Sequence, residues 1–265
     1  DSGSIATSQL VRVFARLVRR HPIPVFPHVQ PIQATTVYER PIPAYFDGSV
    51  KTTLVLADAH VGFRRTGRGL TRLDPFHDRE AMDTAYRVAL AVHPDEIVVL
   101  GDKLDLPDWT VRFHREPDIR LVTQPALIEL HWYLARIRAM LPRTRIVYLA
   151  GNHEKRFSTM LEAHIPAAYK LKSVDDLDGW DAFSIPKLLD LDGLGVEYIA
   201  HYPQGSYFIS PELETEHGST ARKGQGDTSR SIMRDRSNSV FSGHIHRPEL
   251  VSKVDRRGGV NTPIQ

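Results

Sequence analysis

Five short segments of this chain carry side chains that can bind divalent metal ions. They are ADAH at 57–60, GDKLD at 101–105, GNHE at 151–154, EHG at 216–218 and GHIH at 243–246. Their carboxylate, imidazole and amide groups suit Mn²⁺, Fe, Zn²⁺ or Ni²⁺. The number of histidines argues against a Mg²⁺ or Ca²⁺ site built from oxygen ligands, and the chain has no cysteine that could supply a thiolate. These segments therefore predict a metal site.

Seven residues of these segments are candidate ligands, which is too many for one ion. They are Asp58, His60, Asp102, Asn152, His217, His244 and His246. Two divalent ions that share one carboxylate fit this number better. Asp58 and His60 are separated by one residue, as are His244 and His246, and side chains alternate with period two along an extended segment. We therefore expect both ligands of each pair on the same side of a strand-like segment.

The elements predicted around these segments are strands that alternate with helices. Apolar runs predict strands at 52–57, 96–101, 145–151, 196–201 and 239–244, and helical patterns predict helices at 78–92, 124–141 and 219–236. Such alternation favours a largely parallel sheet. Ligands of such sheets collect beyond the carboxyl ends of the strands. Four of the metal-binding segments follow predicted strands, and GNHE is expected to be a turn at this sheet edge.

The combination of these motifs resembles the calcineurin-like metallophosphoesterases. The shared order is D-x-H, GD-x-x-D, GNH followed by an acidic residue, an isolated His before Gly, and GH-x-H, over about residues 52–248. The resemblance implies an α/β (α+β) fold, a four-layer αββα sandwich with two mixed sheets. It also implies a dinuclear metal site at the carboxyl edge of the strands.

The resemblance implies a role for each candidate ligand. The first metal would be held by Asp58, His60 and His246, and the second by Asn152, His217 and His244. Asp102 would bridge the two ions. His201 follows a predicted strand and is the alternative to His217, which we prefer because a glycine follows it, as in the family motif.

The resemblance also implies catalytic residues beside the metals. His153 corresponds to the catalytic histidine of the family, and Asp105 and Glu154 are candidates to orient it. The protein Ser/Thr phosphatases of this family carry Arg after GD-x-x-D, where this chain has Leu106. Arg156 is the candidate to supply the phosphate contact that this Arg would make.

The expected activity is hydrolysis of a phosphate ester by a hydroxide held between the two metals, with Mn²⁺ as the first choice of ion. The expected substrate is a phosphodiester in nucleic acid or a nucleotide, as for a nuclease, and a phosphomonoester, as for a phosphatase, comes next. One alternative is an amidohydrolase-like metal hydrolase, although its His-x-His pair would come on the first strand. The other is a catalytically silent scaffold or binding protein, although no ligand is missing here.

Two groups of basic residues flank the predicted site. They are Arg64, Arg65, Arg68 and Arg72, and Arg222, Lys223, Arg230, Arg234 and Arg236. They form either a rim that follows a nucleic-acid backbone or an ordinary solvated surface. The net charge of +2 does not decide between the two. The glycines of RRTGRG, at 64–69, predict a flexible loop.

The predicted organisation places residues 1–48 outside the catalytic domain, which covers 49–265. A basic amphipathic helix at 5–20 and a proline-rich arm occupy the first part. That helix is expected to dock on the protein, with a membrane-surface or nucleic-acid contact as the alternative. The chain does not begin with Met, and we expect a truncated C-terminus because related domains continue with further strands. The apolar runs are too short for a membrane span, and no secretory signal opens the sequence, so a cytoplasmic location is expected.

Overall fold

The computed structural model describes residues 50–111, 120–234, 236–254 and 260–261. The predicted N-terminal helix, the proline-rich arm and the boundary at residue 48 lie outside these ranges. The last four residues, which bear on the predicted truncation, lie outside them as well. Within the described ranges, no helix combines the length and apolar character that crossing a bilayer requires.

Helices and strands alternate through most of the described chain. The helices are α1 (Arg79–Val92), α2 (Gln124–Met140), α3 (Asn152–His164), α4 (Ile185–Leu188) and α5 (Asp227–Met233). The strands are β1 (Thr53–Leu56), β2 (Phe63–Thr66), β3 (Arg72–Pro75), β4 (Glu96–Leu100), β5 (Arg120–Val122), β6 (Arg145–Leu149), β7 (Val196–Ile199), β8 (Ser206–Ser210), β9 (Leu213–Glu216), β10 (Ser239–Ser242), β11 (Lys253–Val254) and β12 (Val260–Asn261). All five predicted strands and two of the predicted helices, α1 and α2, are present.

The central sheet has the order β1-β4-β6-β7, and its described strands are all parallel. It is buried on both faces. Ile97 and Val99 of β4 join the core that contains apolar residues of α1, α2 and α3, whereas Val98 and Leu100 join a second core on the opposite face. This period-two division is the pattern of a strand covered on both sides. Because apolar residues cover both faces, the edge of the sheet is left for polar side chains.

A second sheet covers the other face of the central sheet. It has the order β10-β9-β8, in which β9 is parallel to β10 and antiparallel to β8. Tyr207, Ile209 and Phe241 pack against the second core, and α5 contacts β10. The predicted α/β class with parallel and antiparallel sheets is confirmed. Among the described strands, however, the central sheet is purely parallel, whereas two mixed sheets were predicted.

The prediction of a flexible loop at 64–69 is wrong. Most of this segment lies in β2 and its turn, and β2 pairs antiparallel with both β3 and β5. Gly67 and Gly69 have φ angles of +79° and +76°, which glycine adopts without steric cost. The two glycines therefore close a hairpin between β2 and β3.

Two further predictions differ from the structure in where a helix begins. Of the helix predicted at 219–236, only α5 forms, because Gly226 caps it in a left-handed conformation with φ of +75°. The predicted turn at GNHE is in fact the first turn of α3, which begins at Asn152. Glu154 occupies the third position of this helix, where its carboxylate accepts the N–H of Gly151, an arrangement that favours helix initiation.

Candidate metal centre

The predicted metal-binding segments meet at one edge of the central sheet. Backbone hydrogen bonds join two of them, because the N–H of Asp58 donates to Gly101 at 3.3 Å and the N–H of His60 donates to Asp102 at 3.0 Å. The N–H of His244, from the segment after β10, donates to the Asp58 carboxylate at 3.2 Å. The backbone thus holds segments from both sheets in fixed relative positions.

The first ligand group contains Asp58, His60 and His246. The Nε2 atoms of His60 and His246 are 2.9 Å apart, and the Nε2 of His246 is 3.5 Å from Oδ1 of Asp58. The Nδ1 of His60 is 3.1 Å from the Asp105 carboxylate. This second hydrogen bond fixes the ring and leaves its Nε2 as the nitrogen that points into the group. These three residues could hold one ion.

The second ligand group contains Asp102, His217 and His244, with Asn152 beside them. The Nε2 of His217 is 3.2 Å from both the Asp102 carboxylate and the side-chain oxygen of Asn152. The Nδ1 of His217 donates to the carbonyl of Leu100 at 2.7 Å, so Nε2 again points into the group. His201, the alternative to His217, is exposed and belongs to none of the ligand groups among the described residues.

Asp102 connects the two groups. Its carboxylate forms a third group with His60 and His153, in addition to the one with His217 and His244. Asp102 is only 1% exposed. Burial alone would raise its pKa, but the hydrogen bond and charge of His217 and the contacts with His153 lower it overall. Asp102 therefore lies close to residues of both ligand groups.

The distances in these groups also match the separations expected between ligand atoms bound to one metal ion. Ligand atoms bound to one ion at about 2.1 Å are about 3.0–3.4 Å apart in octahedral or tetrahedral geometry. The ligand-atom distances given above lie between 2.9 and 3.5 Å. Two imidazole nitrogens that face each other also need a proton or a cation between them. The donor set of imidazole, carboxylate and amide oxygen suits Mn²⁺, Fe, Zn²⁺ or Ni²⁺.

Half of the non-glycine residues with positive φ in the described chain are candidate ligands. They are Asp58 (+48°), His60 (+47°), Asp102 (+47°), His244 (+77°) and His246 (+51°). A non-glycine residue in this conformation costs on the order of 1–3 kcal/mol and tends to occur at functional sites. The prediction that each D-x-H or H-x-H pair lies on an extended segment is therefore wrong. Left-handed turns beyond the strands, and not the pleat, bring the paired side chains together.

Glu154 has a different role from the one predicted for it. Its buried carboxylate accepts five hydrogen bonds at 2.8–3.1 Å. The donors are the backbone N–H groups of Asp102, Lys103, Leu104 and Gly151 and the hydroxyl of Tyr148. Within the described chain, the Glu154 carboxylate bonds to these five donors and not to His153. Glu154 therefore fixes the loop that carries Asp102. The prediction that it orients His153 is wrong.

His153 lies beside both ligand groups. Its Nδ1 is 2.6 Å from the carbonyl oxygen and 3.1 Å from the carboxylate of Asp105, and its Nε2 is 3.6 Å from the Asp102 carboxylate. Burial lowers the pKa of His153, but the hydrogen bond to Asp105 and the charge of Asp102 outweigh it, and the net shift is upward. Asp105 thus contacts both His153 and His60, and its own pKa is lowered by these hydrogen bonds against the opposing effect of burial.

Arg156 lies directly against His153. Its two terminal nitrogens are 2.9 and 2.8 Å from the two ring nitrogens of His153, and one of them donates to the carbonyl of Asp105 at 3.0 Å. The charge of the guanidinium lowers the pKa of His153, whereas Asp105 and Asp102 raise it. This contact places a positive charge next to the candidate catalytic histidine, which is compatible with the predicted phosphate contact.

The sequence reasoning missed the buried ammonium of Lys103. It is 5% exposed and donates to the carbonyl of Ala57 at 3.3 Å, one residue before Asp58. Burial lowers the pKa of Lys103 to about 8, although the charges of Asp58 and Glu154 oppose this. Lys103 stands at a variable position of GD-x-x-D, and its partner Ala57 lies 46 residues earlier in the chain. The neighbouring residues therefore give no indication of this contact.

Comparisons with known proteins show distant similarity to two phage proteins. No family model matches the sequence. The chain is 28% identical over 192 residues to the Gene 54 protein of Mycobacterium phage D29 and 27% identical over 192 residues to the Gene 54 protein of Mycobacterium phage L5. Each match covers 70% of this chain and 70% of the relative. These names state no activity, so a function has to be inferred from the site.

Proposed function

We propose that this protein is a dinuclear metal-dependent phosphoesterase of the calcineurin-like kind. The observation that carries the proposal is the Asp102 carboxylate, whose oxygens lie close both to His60 and His153 and to His217 and His244. The preferred substrate is a phosphodiester in a nucleic acid or a nucleotide, and a phosphomonoester is the second choice.

The fold supports this proposal without deciding it. Helices α1, α2 and α3 cover one face of the central sheet, the mixed sheet covers the other, and α5 contacts β10. These contacts agree with an αββα arrangement of four layers. The candidate ligands follow β1, β4, β6, β9 and β10, which is where ligands bind in sheets of this type.

The ligand groups suggest how two ions would be held. Asp58, His60 and His246 would bind the first, and Asn152, His217 and His244 the second, with Asp102 between them. Mn²⁺ is the first choice of ion, with Fe, Zn²⁺ and Ni²⁺ as alternatives. Two divalent ions supply an acidified water and positive charge for the phosphate oxygens.

His153 would act as the general acid that protonates the leaving oxygen. The raised pKa of His153 favours the protonated ring near neutral pH. Asp105 positions the ring through its contacts with Nδ1, so that Nε2 is the nitrogen directed towards Asp102 and the ligand groups. A positioned general acid contributes roughly 10²–10⁴-fold to the rate. Arg156 would contact a non-bridging phosphate oxygen from its place beside this ring.

Part of the predicted basic rim is neutralised in the fold. Arg72 pairs with Asp74, Arg230 with Asp227, and Arg236 with Glu214 and Glu216. Arg222 and Lys223 are exposed and follow the ligand His217 by only a few residues. A polyanionic substrate bound there would lose affinity steeply as salt is added, whereas a small phosphomonoester would not.

The proposal is tested by assaying the purified protein with bis-p-nitrophenyl phosphate and with p-nitrophenyl phosphate, after removal of metal and after addition of Mn²⁺. We expect hydrolysis that depends on added metal and is faster for the diester. Metal-dependent cleavage of an amide and not of either ester would instead indicate the amidohydrolase alternative. Tight metal binding, measured by mass spectrometry, with no hydrolysis of either ester would contradict the enzyme and favour a silent binding protein.

A further inference from the structure

A surface cavity of about 150 Å³ lies beside α3, next to the candidate metal centre. Five aromatic residues line it: Phe157, Tyr169, Trp180, Phe183 and Tyr198. A cavity of about this volume in another protein is large enough to bind benzene. The lining and the size together suit a single flat ring.

The walls of this cavity are positioned for a ring that also forms hydrogen bonds. The indole of Trp180 is held by a hydrogen bond from Nε1 to Asp192 at 3.1 Å, and it meets the ring of Tyr198 edge-on at 5.7 Å. Within the described chain the Tyr198 hydroxyl forms no hydrogen bond, although it belongs to the cavity lining. Burial and the nearby charge of Glu154 raise its pKa well above the usual value, so it remains a neutral donor.

The cavity is lined by two lysines and by two carboxylates, those of Glu154 and Asp181. Lys155 and Lys170 line it, and neither forms an ion pair among the described residues. Lysines 172 and 187, by contrast, pair with Asp181 and Asp176 at 3.1 and 2.7 Å. The ammonium of Lys170 lies over the ring of Tyr169 at 5.3 Å, so Lys155 is the lysine of the lining that is best placed to contact an anion.

The cavity and the metal centre share a short piece of chain. Ala150 and Ala200 line the cavity at the carboxyl ends of the paired strands β6 and β7. The candidate ligand Asn152 comes two residues after Ala150, so their Cα atoms are at most about 7.6 Å apart. In the first turn of α3, His153 contacts the metal-centre residues and Lys155 lines the cavity. One molecule could therefore reach both places.

We propose that this cavity binds the base of a nucleotide, with the ring among the aromatic side chains, the Tyr198 hydroxyl bonded to a polar atom of the base, and the phosphate near Lys155. Base binding itself stands on the cavity alone. Its use as a substrate subsite, which would select nucleotide phosphoesters over other phosphate esters, rests on the proposed function.

The test measures binding of uridine 5′-monophosphate by calorimetry, to the full chain in the presence of a chelator and again with Mn²⁺. Ribose 5-phosphate and inorganic phosphate are the comparison ligands, because they lack the base. We expect uridine 5′-monophosphate to bind at least tenfold more tightly than ribose 5-phosphate in both conditions. Equal affinity for the two would overturn the proposal, because no contact to the base would then contribute.

Two variants and one control locate the binding site. Trp180→Ala should weaken binding of uridine 5′-monophosphate at least tenfold, and Tyr198→Phe should weaken it about 3–10-fold through the loss of one hydrogen bond. Trp132→Ala is the matched control, since Trp132 is a partly exposed tryptophan of α2 outside the cavity lining. Tyr198→Phe also serves if Trp180→Ala does not fold. If Tyr198→Phe keeps the original affinity, and Trp180→Ala folds normally and also keeps it, then the nucleotide binds elsewhere.

The two proposals fail in different ways. Base-dependent binding without metal-dependent hydrolysis would contradict the proposed function and leave the cavity assignment intact. Hydrolysis of phosphodiesters without base-dependent binding would contradict the cavity assignment only. If a segment of the protein itself filled the cavity, uridine 5′-monophosphate and ribose 5-phosphate would bind with equal affinity. That result would also contradict the proposal.

Discussion

In the described part of the chain, two clusters of histidine and carboxylate side chains differ in how their atoms pair. In the first, Glu129 accepts from His77 at 2.7 Å and from the Arg79 guanidinium through two hydrogen bonds at 2.8 and 2.5 Å. In the metal centre, by contrast, the Nε2 atoms of His60 and His246 face each other at 2.9 Å. Each carboxylate oxygen of Glu129 has its own donor, whereas the two facing nitrogens of the metal centre can share either a proton or a cation.

Residue types alone therefore do not identify a metal site in this protein. Both clusters contain the same kinds of side chain, but only in the metal centre do acceptor atoms converge on a common point. The backbone differs as well, since Asp58, His60 and Asp102 have positive φ. The two clusters should therefore respond oppositely to mutation: one should lose metal, and the other should lose stability.

The largest expected effect is the loss of metal and activity in Asp102→Ala. Because Asp102 belongs to the second ligand group and also lies with His60 of the first, the variant should bind neither ion properly, and its kcat should fall by more than the roughly 10⁴-fold upper contribution of a general acid. Metal content by mass spectrometry and diester hydrolysis measure this. Glu129→Ala is the control, which should keep its metal and lose about 1–3 kcal/mol of unfolding free energy. Two ions retained in Asp102→Ala would refute the bridge.

The next effect concerns His153, which separates catalysis from metal binding. His153→Ala should lower kcat by roughly 10²–10⁴-fold and leave the metal content unchanged. The comparison with His60→Ala sharpens this, because that variant should lose metal as well as activity. If His153→Ala loses metal in proportion to its activity, then His153 is a ligand and not the acid.

Metal should also stabilise the fold through the ligand groups alone. At a concentration of Mn²⁺ about 100 times the dissociation constant, one site adds about 2.7 kcal/mol to the free energy of unfolding. Chemical denaturation with and without Mn²⁺ measures this difference. We expect the stabilisation in the original chain and in Glu129→Ala, and not in Asp102→Ala. Equal stabilisation of all three proteins would mean that the ion binds elsewhere.

The smallest expected effect is the pH dependence of the Glu129 cluster. Burial opposes ionisation, but the hydrogen bonds from His77 and Arg79 lower the pKa of Glu129 to about 2. The folded pKa lies below the unfolded value of about 4.3, so this stabilisation is present above about pH 4.3. It is lost as the pH falls towards 2. Denaturation between pH 5 and 2 should show a shallower loss of stability in Glu129→Gln than in the original chain, and identical slopes would contradict the pairing.

Local sequence patterns predicted several parts of the fold well. The five predicted strands and the helices α1 and α2 occur within a few residues of the expected positions, because short apolar runs and helical periodicity are properties of neighbouring residues. RRTGRG and the segment 219–236 were predicted wrongly. In both, the conformation of one or two glycines decided where a turn or helix begins.

Residue type and order along the chain were enough to predict which residues could bind metal, that most of them follow strands, and that His217 is preferred to His201. The contacts of the folded chain were needed to show that His217 joins Asp102 and that Glu154 supports a loop and not His153. The folded chain also shows that left-handed turns bring the paired ligand side chains together. The physical reason is that these outcomes depend on hydrogen bonds between residues about 50 to 190 positions apart, such as those of Glu154 with the Asp102 loop and of His60 with His246.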